Sequence, residues 1–230
     1  MNCWGVIPAA GVGRRMQTDT PKQFLVVAGR SLLEHSLLAL LADARIRAVS
    51  VALKAGDERV SRLDTVVGNS RVSLTTGGDE RSDSVAAGLN DLVNVGASSE
   101  DWVLVHDAAR PCLSRESLAA LIQQVLSTGC GGILAQPVPD TVKRSRDGCV
   151  AATLDRSDLW LAQTPQMFRL GELRSALAAA RKNGYAVTDE ASAMEFAGGR
   201  VQLVPASRRN LKVTVHDDIE LARLYLESGV

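Results

Sequence analysis

The chain has 230 residues, 46% of them hydrophobic, and its 26 Lys and Arg balance its 26 Asp and Glu. A chain of this length buries roughly 70% of the surface that it exposes when unfolded, and we expect one domain over residues 1–230. The charge balance excludes non-specific binding to nucleic acid or acidic membranes, and the lack of a long apolar run or a secretory signal predicts a cytoplasmic protein.

Short apolar runs alternate along the chain with segments of helical period. The runs predict strands at residues 4–8, 48–53, 72–75, 103–105 and 132–135. Helices are predicted after Ser31, where Ser31-Leu32-Leu33-Glu34 has the form of a capping box, and at residues 81–93, 115–126, 172–183, 189–197 and 217–227. This alternation predicts a mostly parallel central sheet with helices on both faces. In such a sheet, ligands bind beyond the carboxyl ends of the strands.

Residues 137–156, "PVPDTVKRSRDGCVAATLDR", depart from this alternation. The segment is polar, charged and too long for a routine connection. Long insertions of this kind are usually functional or interfacial. We therefore expect residues 137–156 to serve a function or an interface rather than to join two elements.

The stretch "PAAGVGRRMQTDTPKQF", residues 8–24, follows the first predicted strand. Gly11 and Gly13 would let backbone N–H groups turn towards a phosphate. Met16 occupies the third glycine position of a dinucleotide fingerprint, which disfavours a nicotinamide-dependent dehydrogenase. Arg14, Arg15 and Lys22 add more positive charge than the pyrophosphate of a bound dinucleotide requires, and they indicate a triphosphate. The alternative is a tight glycine turn with solvated arginines, but the proline before Lys22 stiffens the loop and favours a pre-organised charge site.

A second motif, "GGDERSDSV", covers residues 77–85. It brings Asp79, Arg81 and Ser84 to the start of a predicted helix, where short polar groups could read the edge of a base. Ser and Asp in a first helical turn are also ordinary caps. The position of the motif directly after a strand favours the binding role.

A third motif, "VLVHDAARP", covers residues 103–111. Asp107 comes at the end of an apolar strand, where a carboxylate facing a triphosphate would hold Mg²⁺ together with phosphate oxygens. The alternative is that Asp107 caps a helix.

The cysteines and histidines of the chain show neither the spacing of a zinc site nor that of a redox motif.

Further polar candidates lie late in the chain, and each alone indicates little: residues 140–141, 155–156, 163–166, 188–192 and 210–214. Hydroxyl groups and forked cations are what a phosphate monoester requires from a binding site. Four residues would together form such a second anion pocket: Thr141, Arg156, Thr164 and Lys212.

Seven segments, in the same order, resemble the 2-C-methyl-D-erythritol 4-phosphate cytidylyltransferases of the non-mevalonate isoprenoid pathway. They are PAAGVGRRM with PKQF, GGDERSDSV, VHDAARP, PVPDTVK, DRSDLWLAQTPQMF, TDEASAMEF and NLKVT. The resemblance runs nearly end to end and implies a Rossmann-like nucleotidyltransferase fold. It also implies the transfer of CMP from CTP to methylerythritol phosphate, with Mg²⁺ as cofactor and pyrophosphate as the second product.

The resemblance implies roles for individual residues. Those expected to hold CTP are Ala9, Ala10, Gly11, Gly13, Gly78, Asp79 and Ser84. Arg15 and Lys22 would stabilise the charge at the α-phosphate, and Asp107, beside Ala108, would contact the metal and the substrates. Those expected to position methylerythritol phosphate are Arg110, Thr141, Arg156, Thr164 and Lys212. In the family the arm, here residues 137–156, crosses to a second subunit, which implies a homodimer in which Thr141 and Arg156 complete the partner's site.

Two other functions stay open at this point. A ribitol-5-phosphate cytidylyltransferase shares the CTP-binding segments and differs where the alcohol binds. A non-catalytic nucleotide-binding module would keep the glycines but would have little use for Lys22, Arg156 and Lys212 together. Pyrophosphate release from CTP separates an enzyme from such a module.

Overall fold

The structure, a computed structural model, describes residues 2–11 and 20–228. The strands in these ranges are β1 (Cys3–Ala9), β2 (Val26–Val27), β3 (Arg30–Ser31), β4 (Ile46–Leu53), β5 (Val72–Thr76), β6 (Trp102–Val105), β7 (Gly132–Pro137), β8 (Val142–Arg146), β9 (Cys149–Leu154), β10 (Trp160–Arg169) and β11 (Gln202–Pro205). The helices are α1 (Leu32–Leu41), α2 (Arg81–Asn94), α3 (Arg115–Thr128), α4 (Leu170–Lys182), α5 (Glu190–Phe196) and α6 (Asp217–Glu227). Short 3-10 helices cover Lys22–Phe24 and Glu58–Arg62. No helix in the described ranges is long and apolar enough to cross a bilayer.

Seven strands form a central sheet in the order β11-β7-β10-β6-β1-β4-β5. Strand β10 is antiparallel to both of its neighbours, and the other pairs are parallel. The predicted mostly parallel sheet is therefore confirmed, and its five predicted strands are β1, β4, β5, β6 and β7. The sequence prediction missed β10 and β11, as well as the short strands β2 and β3 and the strands β8 and β9.

Different helices cover the two faces of the sheet, because side chains alternate along each strand. In β1, Ile7 packs in a core cluster with α1 and α3, whereas Val6 packs with α2, α4 and α5 on the opposite face. Strand β6 divides in the same way, with Leu104 on the first face and Val103 on the second. The predicted helices on both faces are confirmed. Burial of both faces leaves the ends of the strands as the place for polar chemistry.

The predicted capping box at the start of α1 is confirmed. The backbone N–H of Glu34 donates to Ser31 Oγ over 3.2 Å, and the N–H of Ser31 donates to Glu34 Oε2 over 2.9 Å. These bonds satisfy N–H groups that have no partner inside the helix. Buried leucines then follow on one face at Leu33, Leu37 and Leu40.

Residues 137–156 contain a hairpin of β8 and β9 that forms its own two-stranded sheet. Its turn residues Asp147 and Gly148 have φ of 51° and 79°, which is the left-handed pair that a two-residue hairpin turn requires. No residue of either strand is buried. The hairpin therefore lacks the buried face that stabilises an isolated two-stranded sheet.

A close approach between α2 and β1 gives a test of the packing. A Cβ atom added at Gly88 would lie 2.6 Å from Cγ1 of the buried Val6. We expect Gly88→Val to lower the free energy of unfolding by about 1–3 kcal/mol through overpacking, measured by urea denaturation. Asn90→Ala, at an exposed position of the same helix, should leave stability nearly unchanged. Equal stabilities of the two variants would contradict this account of the helix–sheet contact.

Candidate active site

A cleft of about 400 Å³ lies beyond the carboxyl ends of β1, β5 and β6. Its lining brings together the three motifs of the first half of the chain and a segment near the C-terminus. The lining residues are Pro8, Ala9, Ala10, Gly11, Lys22, Gln23, Gly78, Asp79, Glu80, Arg81, Ser84, Asp107, Ala108, Ala109, Lys212 and Thr214. The cleft stands where an α/β sheet is expected to bind its ligand.

A smaller recess of about 220 Å³ adjoins this cleft on the side of β10. It shares Arg81, Asp107 and Lys212 with the cleft and adds Arg110 and Thr164. The two spaces are therefore separated by a wall of charged side chains. An anion in either space would lie against the same cations.

The structure brings together most of the predicted site residues. Those lining the cleft are Ala9, Ala10, Gly11, Lys22, Gly78, Asp79, Ser84, Asp107, Ala108 and Lys212, and those lining the recess include Arg110 and Thr164. Gly13 and Arg15 lie outside the described residues. Thr141 and Arg156 are exposed beside the hairpin, and Arg156 donates to the carbonyl of Pro139. Neither of these two residues lines the cleft or the recess of its own chain.

The loop after β1 is held by Gln23, a buried residue of the 3-10 helix. Its side-chain amide donates to the carbonyls of Ala9 over 2.7 Å and Gly11 over 2.9 Å. Opposite this loop, a Cβ added at Gly77 would lie 2.7 Å from Cβ of Ala10 and 2.6 Å from Oγ of Ser84. A side chain at position 77 would therefore collide with Ala10, so the first and second motifs come close together only because residue 77 is glycine.

Lys22 reaches across the fold to the C-terminal segment. Its Nζ donates to the carbonyl of Val213 over 3.1 Å. Asp218 fixes that segment, because its Oδ2 accepts from the backbone N–H groups of Thr214 and Val215 over 2.7 and 3.0 Å. Lys22 and Lys212, 190 positions apart in the sequence, therefore border the same cleft.

Asp107 is the centre of the charged wall. Its Oδ1 lies 3.0 Å from Arg81 Nε, and its Oδ2 lies 2.8 Å from Lys212 Nζ and 3.6 Å from Arg110 Nε. Burial would raise the pKa of the Asp107 carboxyl, but the three cations overcome this effect and hold the pKa well below its usual range. Asp107 is therefore ionised throughout the physiological range.

Arg81 also pairs with Glu190, which lies in a late polar segment that the sequence analysis named as a candidate without giving it a role. Its Nη1 lies 2.6 Å from Oε1 of Glu190, and its Nη2 lies 3.1 Å from Oε2. We predicted that Arg81 would belong to a set that reads a base, but its guanidinium is committed to ion pairs with Glu190 and Asp107. Glu190 stood in the quoted segment TDEASAMEF, where it looks like a first-turn helix residue.

Asn210 is a second contributor, in a candidate segment for which the sequence analysis assigned a role only to Lys212. Its buried side-chain amide donates to Oε1 of Gln163 over 2.9 Å and to the carbonyl of Thr164 over 2.8 Å. The backbone carbonyl of Asn210 accepts from Arg110 Nη1 over 2.7 Å. These bonds tie the segment that carries Lys212 to β10.

His106 lies behind the wall and faces neither space. Its Nδ1 is 2.9 Å from Oγ1 of Thr164, and its Nε2 is 3.1 Å from the carbonyl of Arg110. Burial lowers the pKa of His106 to about 4. The ring is therefore neutral near pH 7 and supports the loop that carries Arg110.

The described residues can bind Mg²⁺ only if substrate phosphates supply most of its ligands. Among the described residues, no three His, Cys, Asp or Glu side chains come together as a metal cage. Asp107 supplies one carboxylate at the cleft wall, and Mg²⁺ bound through one carboxylate and substrate phosphates is a common arrangement. The donor set fits an ion that arrives with a triphosphate.

A cleft beyond the carboxyl ends of parallel strands, bordered by cations, is typical of nucleotide-binding α/β enzymes. The comparisons with known proteins identify the family. A family model described as 2-C-methyl-D-erythritol 4-phosphate cytidylyltransferase matches residues 3–228. The chain belongs to this family and is a nucleotidyltransferase.

Individual relatives agree with the family model. The chain is 50% identical to the 2-C-methyl-D-erythritol 4-phosphate cytidylyltransferase of Pseudomonas paraeruginosa (strain DSM 24068 / PA7), over 94% of this chain and 92% of that protein. It is 47% identical to the protein of the same name from Escherichia coli O157:H7, over 96% and 92%. Among solved structures, a 4-diphosphocytidyl-2C-methyl-D-erythritol synthase matches with a TM-score of 0.85 at 38% identity, covering 98% of each chain. The Francisella tularensis enzyme matches with a TM-score of 0.82 at 36% identity, over 98% of this chain and 100% of that one. The predicted family and fold are therefore confirmed.

The buried histidine predicts a pH dependence of stability. Because the pKa of His106 is about 4 when folded and 6.5 otherwise, the unfolded chain binds a proton first as the pH falls. The contribution of neutral His106 to the free energy of unfolding is complete above pH 6.5 and is lost as the pH falls towards 4. We expect about 2 kcal/mol of unfolding free energy to be lost between pH 7 and 5, measured by urea denaturation. His106→Gln should remove this component, and an unchanged pH dependence in that variant would refute the assignment.

Proposed function

We propose that this enzyme transfers CMP from CTP to 2-C-methyl-D-erythritol 4-phosphate, forming 4-diphosphocytidyl-2-C-methyl-D-erythritol and pyrophosphate in isoprenoid biosynthesis. Family membership supports the reaction. The observation that carries the proposal is the shared wall of Arg81, Asp107 and Lys212 between the cleft and the recess. A transferase of this kind must bring two anions together, and cations that border both spaces reduce their repulsion.

The nucleotide occupies the larger space. Ala10, Gly78, Asp79 and Ser84 would surround the base and ribose, where the motif glycines allow close approach of the ligand. The triphosphate would lie along the loop that begins at Gly11, with Gly13 and Arg15 continuing it. Lys22 would contact the α-phosphate from the opposite side of the loop.

The polyol phosphate occupies the recess. Arg110, Thr164 and Lys212 border it in this chain, and their cations and hydroxyl suit a phosphate monoester. Thr141 and Arg156 would reach the recess of a second subunit through the exposed hairpin. We therefore propose a homodimer in which each hairpin completes the partner's site. We place this dimer in the cytoplasm, where nucleoside triphosphates are available.

The chemical step relies on position and charge. A phosphate monoester is already a nucleophile at neutral pH, so the reaction needs no general base, and in-line attack at the α-phosphorus of CTP displaces pyrophosphate. Lys22, Arg15 and Lys212 would stabilise the charge that develops on the transferred phosphoryl group and its neighbours. Asp107 would help to hold Mg²⁺, which when bound would neutralise part of the triphosphate charge.

Removal of Lys22 should affect turnover more than binding. We expect Lys22→Ala to lower kcat by about 100-fold or more, the usual loss for one donor to a developing charge, while the Kd for CTP rises far less. Steady-state kinetics and calorimetric titration with CTP measure the two effects. Lys54→Ala removes an exposed lysine that lies outside the cleft and serves as the matched control. Near-normal turnover of Lys22→Ala would refute its role.

The substrate assignment is tested by pyrophosphate release. With CTP and Mg²⁺, we expect methylerythritol phosphate to be turned over much faster than ribitol 5-phosphate, measured by coupled detection of pyrophosphate. Preference for ribitol 5-phosphate would overturn the substrate, and lack of release with every sugar-alcohol phosphate would overturn the activity.

A mixture of inactive subunits tests the shared sites. We expect Lys22→Ala and Arg156→Ala to be nearly inactive alone and to recover about a quarter of the parental activity when co-refolded, since half of the random dimers are mixed and each mixed dimer has one intact site. Activity that never exceeds the average of the two variants would show that Arg156 serves its own chain.

A further inference from the structure

Glu190 is a wholly buried carboxylate that the proposed reaction does not use directly. Its exposed fraction is 0%, and it lines neither the cleft nor the recess. A buried charge is costly unless it is paired with good geometry. The paired group is Arg81, with two contacts of 2.6 and 3.1 Å between the guanidinium and the carboxylate.

Arg81 links Glu190 to the charged wall, because it also contacts Asp107. While Glu190 binds both terminal nitrogens of Arg81, only Nε faces Asp107, at 3.0 Å from Oδ1. A planar guanidinium held at two nitrogens has little freedom to rotate. Glu190 therefore determines the direction from which Arg81 approaches Asp107, and it leaves Oδ2 of Asp107 to Lys212 at 2.8 Å and Arg110 at 3.6 Å.

Glu190 also controls how much charge faces the substrates. Burial lowers the pKa of Arg81, but Glu190 and Asp107 overcome this effect and raise it above its ordinary value. Arg81 is thus always a cation, and a carboxylate partner neutralises it. Without Glu190, Arg81 would keep only Asp107 as a partner, and its two terminal nitrogens could turn towards a triphosphate or compete with Lys212 for Asp107.

We propose that Glu190 is a positioning residue for the transfer reaction, which holds Arg81 so that Asp107 and Lys212 keep the geometry that catalysis requires. This inference rests on the proposed function, because its readout is CMP transfer. A merely structural role for Glu190 would be to anchor the start of α5 to α2, with consequences for stability alone.

The experiment compares Glu190→Gln with a buried carboxylate at the opposite end of the sheet. Asp101 accepts from Trp4 Nε1 over 3.0 Å and from the N–H of Asn2 over 3.0 Å, and Asp101→Asn is the matched control. We expect Glu190→Gln to lower kcat at least 30-fold per folded molecule, with the KM for CTP within threefold of the parent. Asp101→Asn should lower the Tm but leave kcat within twofold.

A double substitution separates positioning from anchoring. If Glu190 acts through Arg81, then Arg81→Gln/Glu190→Gln should have the same kcat as Arg81→Gln within threefold. The double variant leaves no unpaired buried charge and serves if Glu190→Gln does not fold, and kcat is compared per folded molecule because Arg81→Gln leaves Glu190 unpaired. Losses that multiply would overturn the proposal, as would parental kcat in Glu190→Gln or an equal loss of kcat in Asp101→Asn. A parent that releases no pyrophosphate would instead overturn the proposed function.

Discussion

One buried carboxylate, Asp107, determines how the candidate active site is assembled. It contacts Arg81 from α2, Arg110 from its own loop and Lys212 from the C-terminal segment. Removing the Asp107 carboxylate would leave these cations facing one another without a counter-charge, so Asp107 allows the three segments to meet. With Glu190 included, three cations face two carboxylates. The remaining positive charge is in place before any substrate arrives, which is what electrostatic preorganisation requires.

The topology explains why these groups meet. Strands β1, β5 and β6 are parallel within one sheet, so the loops after them share one edge. Strand β10 runs in the opposite direction, and Gln166 pairs with Val105 at the end of β6. The earlier residues of β10 therefore lie beyond that end, where Oγ1 of Thr164 accepts from the N–H of Asp107 over 3.0 Å. The reversed strand thus forms the outer wall of the recess.

The sequence was sufficient to predict the strands and helices that have a clear local pattern of apolar residues. Apolar runs and helical periods placed each predicted element within two residues of its observed ends. The pattern failed for β10, because its Gln163-Thr164-Pro165-Gln166 segment is polar at the site and lacks the apolar run of a buried strand. The three cleft motifs were recognisable because glycines and charges follow strands. The pair of Arg81 with Glu190 joins residues 109 apart in the sequence, and no local spacing indicates such a contact.

The central claim is that a nucleoside triphosphate is held between the first two motifs, with its phosphates facing the cations that border the recess. A crystal structure of the enzyme with CTP and Mg²⁺ tests this claim most directly. The account predicts the base beside Ala10 and Gly78, and the α-phosphate within hydrogen-bonding distance of Lys22 Nζ. A nucleotide bound away from the loop that begins at Gly11, with Lys22 and Arg15 directed elsewhere, would contradict it.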